Sequence, residues 1–399
     1  MKGRFWTADW FAGLIVTLVL LFAAGGGLLD GLERGAYDIG VRSSTRTPSD
    51  QVAVIAIDDE SIANLGRWPW SRDIFARMVD ILREGGAKVV GNTIFFLEPQ
   101  IDPGLEHIQA IGQFLGSSSL YREVPGEIEL LGEMLEDIPA DAGGESIRQL
   151  REFFSQSNLA QRSSSELADI ARRLTAAAEQ LNTDRILATS IADAGNVVLA
   201  MPFVLGQQLG NPDEGLPEYF TVYALPSVLD RVDAMVNGLL PLPAITALPP
   251  IASLAQPAQA IGHLNASVDV DGGIRSEPLV LRYYDSYFPS LSLQLAAKSL
   301  NLGPEDIQVN LGEGVRLGGL NITTDPALRM QTFFYGDQDG RPAFAVDSFF
   351  DVFTGKVPPE KYRNKIVLLG ATATGVGSPQ VTPVSPAMPP VVTLAHSVS

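Results

Sequence analysis

The amino-acid sequence predicts an α/β fold: a mixed, largely parallel sheet flanked by helices, with a helical insertion and one N-terminal transmembrane helix. Apolar runs of strand length alternate with patterns of helical period, as in proteins built on parallel sheets. Residues 102–187 break this alternation with a polar, helical composition. Residues 10–29 form an uncharged stretch that is long enough to cross a bilayer.

Composition narrows the classes of function. The chain has 399 residues, of which 46% are hydrophobic and 19% charged, and this excludes an intrinsically disordered protein. A net charge of −18 disfavours binding to phosphate backbones, so we expect no nucleic-acid partner. The absence of cysteine excludes disulfides, thiol catalysis and cysteine-ligated metals, and three histidines leave little for histidine-based metal sites. We therefore expect no cofactor and no bound metal.

The N-terminal stretch predicts a membrane anchor. As a helix, residues 10–29 would be about 30 Å long, close to the thickness of a bilayer core. Lys2 and Arg4 precede it, and basic flanks favour the cytoplasmic side. We expect a cytoplasmic tail at 1–9, a transmembrane helix at 10–29 and an extracytoplasmic domain at 30–399. A cleaved signal peptide and a buried helix of a soluble protein stay open as alternatives.

The first α/β unit is predicted between residues 52 and 97. Residues 52–58 have the pattern of a buried strand, and Ser71 is a good N-cap for the helix that follows. A Gly-Gly pair ends that helix, and the apolar run at 87–97 predicts a second strand. Because strand, helix and strand in this order form a βαβ unit, the two strands are expected to be parallel.

Acidic side chains follow the first strand directly. Ligands of open α/β sheets bind beyond the carboxyl ends of the strands, which places Asp58, Asp59 and Glu60 at a potential site. Paired carboxylates there would suit acid–base catalysis or a metal. The alternative is that they cap the next turn and balance Arg67 or Arg72, and no His, Cys or glycine-rich phosphate loop accompanies them.

Residues 102–187 form the predicted helical insertion. From 122 to 187 the chain is rich in Glu, Ser, Gln and Arg, and its apolar residues follow helical spacing. We expect a lid or a partner-binding arm, which would suit dimerisation of a tethered domain. The plainer alternative is a solvated set of helices packed on the sheet.

Further elements are predicted towards the C-terminus. They are a strand at 196–205, a helix near 226–236, a hairpin of 261–270 with 274–284, a helix at 289–299, short strands within 307–335, a helix at 344–353 and a strand at 365–370. Asp269, Asp271 and Gly272 match a fragment of a calcium loop, but the other ligands are missing and a plain turn is the simpler interpretation. The loop 371–377 could present backbone N–H groups to an anion, although it lacks a phosphate-loop motif.

Ordered motifs along the chain are similar to one known family. They are Tyr37-Asp38 with Arg42, 54–61 (VIAIDDES), 65–72 (LGRWPWSR), 86–91 (GAKVVG), 262–265 (GHLN), Asp269 with Asp271-Gly272 and Arg275, 288–291 (FPSL), 365–372 (KIVLLGAT) and Thr382-Pro383. Together they resemble the CHASE type 2 domain, a sensory extracellular domain associated with cyclases and histidine kinases. The resemblance spans about residues 37–396 and is interrupted by the helical insertion.

The sequence departs from the family's pattern in three places. Asn92 and Ser378 stand where family members usually carry Asp. Residues 390–396 (PVVTLAH) are similar to the family's ending but lack its Gly, Glu and His. A ligand site built on these positions would therefore be altered.

The resemblance implies a sensor for signal transduction rather than an enzyme, in the bacterial inner membrane with its bulk in the periplasm. Family members typically continue into transmembrane helices and a cytoplasmic adenylate or guanylate cyclase or kinase. This chain is therefore expected either to continue or to work without its own output domain. Expected partners are the lipid bilayer, a small ligand or protein, and a second copy or a membrane complex. The alternative is an accessory subunit that uses a degenerate sensor domain as a protein-binding scaffold.

A ligand is expected near the strand ends and the loop 371–377. The candidate binding residues are Asp58, Asp59, Trp68, Trp70, Arg72, Gly370, Thr372 and Gly375. The tryptophans and Arg72 could stack on a small ligand or pair with it, or the tryptophans could simply pack the turn into the core. An enzyme that uses Asp58 and Asp59 is a third hypothesis, but no base–nucleophile pair is recognisable.

Overall fold

The computed structural model describes residues 9–25, 30–139, 144–212, 215–337 and 341–399. The predicted cytoplasmic tail, apart from Asp9, and residues 26–29 of the predicted span lie outside the described residues. The α-helices are α1 (Asp9–Gly25), α2 (Asp30–Arg42), α3 (Asp59–Leu65), α4 (Arg72–Glu84), α5 (Pro103–Ser117), α6 (Ser119–Arg122), α7 (Val124–Glu136), α8 (Gly144–Ser157), α9 (Leu159–Leu181), α10 (Thr183–Ala194), α11 (Glu218–Thr221), α12 (Ala234–Asn237), α13 (Ala252–Ala255), α14 (Leu291–Ser299), α15 (Phe349–Phe353) and α16 (Pro390–Val398).

The strands are mostly short. They are β1 (Val52–Ile57), β2 (Val89–Asn92), β3 (Val197–Met201), β4 (Phe203–Leu205), β5 (Ser227–Leu229), β6 (Pro243–Ala247), β7 (Ala260–His263), β8 (Ser267–Val268), β9 (Ile274–Pro278), β10 (Val280–Tyr283), β11 (Ser286–Pro289), β12 (Ile307–Asn310), β13 (Gly314–Leu317), β14 (Leu320–Thr323), β15 (Arg329–Gln331), β16 (Val346–Ser348), β17 (Ile366–Ala371), β18 (Gln380–Thr382) and β19 (Ser385–Met388).

A parallel sheet forms the centre of the molecule, in the order β16-β1-β17-β2-β3-β7. β1 and β2 are parallel, as the sequence predicts, but β17 lies between them, with Val54 opposite Leu368. The strand interiors are buried on both faces, which explains their near-continuous apolar sequence. Smaller sheets have the orders β11-β10-β6-β4, β14-β13-β12-β5 and β15-β9-β8, beside the β18-β19 ribbon.

Helices cover both faces of the central sheet. On one face Phe75 of α4, Ile191 of α10 and Phe349 of α15 join one apolar cluster with the strands. On the other face α14 and α16 form a second cluster. A Cβ atom on Gly370 would lie 2.6 Å from the Cβ atom of Val391, so glycine lets α16 approach β17 this closely. The prediction of a largely parallel sheet between helices is confirmed.

Several local predictions are wrong for identifiable reasons. The apolar run at 196–205 is two strands, because Pro202 has no N–H to continue the ladder and the chain turns from β3 into β4. The segment near 226–236 contains strand β5 and the single turn α12 instead of one helix. The helix predicted at 344–353 starts only at Phe349, because Val346–Ser348 pairs with β1 as edge strand β16.

The predicted hairpin of 261–270 with 274–284 is also wrong in extent. β7 belongs to the central sheet, and only β8 pairs with β9 across the turn. β10 belongs to a different sheet, where it pairs with β6 and β11. A uniformly apolar sequence does not reveal which sheet a short strand joins.

Helices α5 to α9 lie within the segment predicted as an insertion, and each of them lacks a buried residue over its described part. Several large apolar side chains on these helices are more than half exposed: Ile111, Phe114, Leu120, Leu130, Leu131, Met134 and Phe153. The insertion therefore contributes little to the central core.

Helix α1 is apolar around its circumference, and Val16, Leu21 and Phe22 are each more than half exposed. In the part of the chain that the structure describes, no helix has both the length and the apolar character needed to cross a bilayer.

Candidate functional site

The polar side chains at the carboxyl ends of β1 and β16 hydrogen-bond to one another and to the nearby backbone. Asp58 is the N-cap of α3, and its Oδ1 accepts hydrogen bonds from the backbone N–H of Ser61 (2.8 Å) and from the Ser348 hydroxyl (3.0 Å). The buried Ser61 hydroxyl accepts in turn from the N–H of Phe350 at 3.0 Å. We call these residues, together with Trp70, the capped end of the sheet. Asp58 thus has the structural role that the sequence left open as an alternative.

Trp68 and Trp70 pack with each other, their rings 5.3 Å apart. Trp70 is only 2% exposed, lies 5.0 Å from the ring of Phe349, and donates its indole N–H to the carbonyl of Gly66 at 2.9 Å. Trp68 is partly buried against the same apolar cluster. Both indoles therefore pack the turn into the core, and a role for them in ligand binding stays a prediction.

Arg72 joins the end of the insertion to the sheet. Its Nε atom donates to Asp184 at 3.2 Å, its Nη2 donates to the carbonyl of Glu98 at 3.3 Å, and its guanidinium lies 4.4 Å from the centre of the Phe96 ring. Burial lowers the pKa of Arg72, and Asp184 acts against that shift. These contacts fix α10 against α4, and a ligand role for Arg72 stays a prediction.

The loop 371–377 is held by an acidic side chain. Asp59 accepts from the N–H of Thr374 at 3.1 Å and from its hydroxyl at 3.3 Å, so a carboxylate already occupies this part of the loop. Thr372 donates its N–H to the carbonyl of Ile57, and Gly375 has a φ of 81°, which favours glycine. Thr372 and Gly375 line a cavity of about 240 Å³. Their predicted ligand role, and that of Gly370, is not tested by these contacts.

A larger cavity lies at the carboxyl ends of β17, β2 and β7, and we call it the strand-end cavity. Its volume is about 480 Å³, within the usual range of small-molecule sites. None of the eight predicted binding residues lines it. It is lined by Thr93, Ile94, Phe95, Leu264, Asn265, Ala266, Ile274, Ser276, Glu277, Thr332, Ala371, Val376, Gly377, Ser378, Gln380, Pro390, Val391, Thr393, Leu394 and Ser397.

Glu277 places a buried carboxyl group in the wall of this cavity. Its Oε1 accepts a hydrogen bond from the Ser292 hydroxyl at 2.5 Å, and the hydroxyls of Ser397 and Ser290 also favour its ionised form. Burial nevertheless raises the pKa of Glu277 above its ordinary value, because desolvation outweighs the effect of these hydroxyls. The site thus contains a carboxyl group that is costly to ionise without a compensating charge.

Unpartnered polar atoms concentrate in residues that line the strand-end cavity. Within the described ranges, six buried side-chain nitrogen or oxygen atoms lack a hydrogen-bond partner within 3.5 Å, and three of them belong to residues that line it. These are Oε2 of Glu277, Oε1 of Gln380 and Oγ1 of Thr393. Buried polar groups normally have partners, so three lining residues that each keep an oxygen without one mark this cavity as a candidate binding site.

Helix α2 is attached to the strand that forms one wall of this cavity. The Arg275 guanidinium of β9 donates to both oxygens of Asp38 on α2, at 2.8 and 2.9 Å, and to the carboxylates of Asp269 and Asp271. The Arg275 hydrogen bonds lower the pKa of Asp271 to about 2. Asp269 and Asp271 match a fragment of a calcium loop in sequence. In the structure they form ion pairs with Arg275 in an ordinary turn.

A second set of contacts joins α2 to the same wall. The Tyr37 hydroxyl donates to the carbonyl of Thr332, a residue that lines the cavity. Val41 is 3% exposed and packs against Phe334 and Met388. We call the contacts of Arg275 with Asp38 and of Tyr37 with Thr332 the α2 clamp. Each part of the clamp lies at the cavity wall, since Ile274, Ser276 and Thr332 all line it.

Sequence reasoning missed Glu277, Gln380 and Thr393 because they come from β9, β18 and α16, which are far apart in the chain. One signal pointed towards them. Two of the three departures from the family's pattern, Ser378 and the segment 390–396, contribute residues to the cavity wall. Among the residues whose placement is described, no group of three or more His, Asp or Glu residues is arranged to hold a metal ion.

Comparison with known proteins gives one match. No curated protein and no solved structure matches the chain significantly. A family model of the CHASE2 domain, an extracellular sensor domain, matches residues 13–399. Because this match covers nearly the whole sequence, the chain belongs to the CHASE2 domain family.

Proposed function

We propose that this chain is the extracytoplasmic sensor module of a membrane receptor, that it binds a small ligand in the strand-end cavity, and that binding changes how α2 is held. The observation that carries this proposal is that the cavity and the α2 clamp share residues of one wall. Arg275 stands between two cavity-lining residues, Ile274 and Ser276, and Thr332 lines the cavity while its carbonyl accepts from the Tyr37 hydroxyl.

A ligand can shift α2 only if its affinity differs between two arrangements of the wall. The clamp supplies a suitable element, because a buried arginine with three carboxylate partners has a defined geometry that a shift of β9 would disturb. Since α2 directly follows the apolar N-terminal segment in the chain, a change in α2 is placed to reach that segment.

Anchoring of this module in the inner membrane is part of the proposal. Residues 10–29 carry no formal charge, and the apolar side chains of α1 that the structure describes are largely exposed. Such a surface favours a lipid environment. Together with the extracellular character of the family, this supports a periplasmic location for the bulk of the chain. We further propose a cytoplasmic cyclase or kinase as the output that α1 would control.

The test fills the cavity and measures hydrogen exchange in α2 of the whole chain. Thr393→Phe places a ring at a cavity-lining position of α16, and the Thr393 hydroxyl has no hydrogen-bond partner to lose. Thr354→Phe, at the exposed end of α15, is the matched control. We expect Thr393→Phe to change the exchange of the α2 amides about tenfold, equivalent to roughly 1.4 kcal/mol of local opening.

An unchanged exchange pattern in α2, with Thr393→Phe folded and the cavity filled, would refute transmission through this wall. An equal change in the Thr354→Phe control would show that the effect is not specific to the cavity.

A second candidate function is an accessory subunit that binds other proteins. The observation that favours it is the exposed apolar surface of the insertion, where Phe114 is 75% exposed and Phe153 is 58% exposed. Replacing both with Ser would release a stoichiometric membrane partner from the purified chain if this function is correct. The sensor function predicts that the same replacements leave the exchange response of α2 intact.

A further inference from the structure

We propose that the ligand of the strand-end cavity is a small organic cation, a primary ammonium group on an apolar body. This inference rests on the proposed function, because it names the ligand class of the same cavity. It follows from which hydrogen-bonding groups the wall leaves unused, which charges surround them and what the rest of the wall is made of.

The unused groups call for hydrogen-bond donors. Oε2 of Glu277 and Oε1 of Gln380 are acceptors without a partner, and Oγ1 of Thr393 can accept as well. A primary ammonium group carries three N–H donors and no acceptor. An ammonium group on the ligand can therefore supply the kind of hydrogen-bond partner that these acceptors lack.

The charges around the cavity select against anions. Glu277 is the one ionisable residue among the described residues that line it, and its carboxyl group is surrounded by uncharged hydroxyls, those of Ser290 and Ser292 at the start of α14 and of Ser397 in α16. Arg275, two residues along β9, is engaged by three carboxylates. His396, next to Ser397, stays neutral near pH 7 because burial lowers its pKa to about 4.

A buried carboxylate without a counter-charge is costly, and a cation is the partner that removes most of this cost. An anionic ligand would instead add a second negative charge beside Glu277. A neutral ligand could use the acceptors but would leave the carboxylate uncompensated.

The rest of the wall is apolar. Ile94, Phe95, Leu264, Val391 and Leu394 also line the cavity, and they favour a hydrocarbon or aromatic body on the ligand. An inorganic cation would leave this surface unused. The combination of one carboxyl group and apolar walls therefore favours an amphipathic organic amine.

The experiment measures the affinity of the whole purified chain for three fragments with the same ring and different head groups: 2-phenylethylamine, 2-phenylethanol and phenylacetate. We expect the amine to bind about tenfold more tightly than the alcohol, the advantage of a charged over a neutral hydrogen bond, and phenylacetate to bind least. Glu277→Gln should remove the preference for the amine, whereas Glu313→Gln, the same change at an exposed turn, should keep it.

A pH series on the unmodified chain gives a second reading that does not depend on a variant. The preference for the amine should decline as the pH falls and Glu277 takes up its proton, while the affinity for the alcohol stays flat. Equal binding of amine and alcohol would overturn the cationic class and leave the cavity as a ligand site. No binding of the amine, or a preference that survives Glu277→Gln, would also overturn the inference. The α2 exchange experiment judges the proposed sensor function separately.

Discussion

The capped end and the strand-end cavity lie at the same end of the central sheet, but they differ in whether their polar groups have hydrogen-bond partners. At the capped end, Asp58, Ser61 and Ser348 bind one another and the backbone, and the buried Trp70 packs on Phe349 with its own N–H bonded. At the strand-end cavity, Glu277, Gln380 and Thr393 each leave an oxygen unused. Both parts lie beyond the carboxyl ends of parallel strands, where ligands of α/β proteins bind.

The difference teaches that position at a strand end does not by itself identify a site. A group that is satisfied within the fold contributes stability, whereas a buried group left unsatisfied lowers stability unless a ligand completes it. Substitutions at the capped end should therefore affect folding, and those in the cavity should affect binding. The following variants test that division.

The largest effect is expected from Trp70→Ala. The substitution removes a fully buried indole from the cluster around Phe349 and should cost about 3–5 kcal/mol of unfolding free energy. Chemical denaturation of the variant and of the natural chain measures this loss. Trp68→Ala, at a partly exposed position beside it, should cost clearly less. A loss below about 1 kcal/mol for Trp70→Ala would contradict a structural role for the capped end.

A smaller loss is expected from Ser61→Ala. The buried Ser61 hydroxyl accepts from the N–H of Phe350 and contacts Asp58, so its removal should cost about 1–3 kcal/mol. The exposed Ser155→Ala in α8 is the matched control and should change little. If the ligand affinity fell while stability stayed constant, the capped end would belong to the binding site after all.

Glu277→Gln should raise the stability of the protein, unlike the two variants above. Burial raises the pKa of Glu277 above its ordinary 4.5, so the native state holds this proton more tightly than the unfolded state. The stability of the natural chain should therefore fall as the pH rises from about 4.5 through the raised pKa. The glutamine variant lacks this fall, and we expect it to be the more stable protein at neutral pH.

Melting temperatures of both proteins between pH 4 and pH 8 measure this contribution. Their difference at each pH cancels the buried histidines, His263 and His396, whose lowered pKa values of about 3 and about 4 reduce stability as the pH falls below 6.5. A difference that does not vary with pH would mean that Glu277 titrates normally.

The smallest effect is expected from Thr393→Val. The two side chains have nearly the same shape, and the Thr393 hydroxyl has no partner within hydrogen-bond distance, so the change in stability should stay within about 0.5 kcal/mol. The affinity for 2-phenylethylamine should fall in the same variant, because one acceptor is lost. A large destabilisation measured by denaturation would show that this hydroxyl is bonded within the fold.

Much of the fold could be predicted from the sequence, because apolar runs and helical periods report burial directly. The strand at 52–57 and the helix that begins after Ser71 are examples. Partner choice could not be predicted, since β17 inserts between β1 and β2 from the far end of the chain. Pro202 alone signals that the run at 196–205 divides.

The candidate site could be predicted only in part. Asp58 and Asp59 attract notice because charged residues directly follow an apolar run, yet that pattern is equally typical of a cap, and a cap is what Asp58 forms. Glu277 has an ordinary local sequence, and its character comes from burial by α14 and α16. Whether an oxygen is left without a partner depends on three-dimensional packing, and no local pattern reports it.

The most direct test of the division between the two parts is a crystal structure of the chain grown with 2-phenylethylamine. The account predicts the ammonium nitrogen at about 2.7–2.9 Å from Oε2 of Glu277, with the ring against Leu264 and Leu394. The capped end should be unchanged. A fragment ordered against Trp70 and Arg72, with the strand-end cavity empty, would contradict the account.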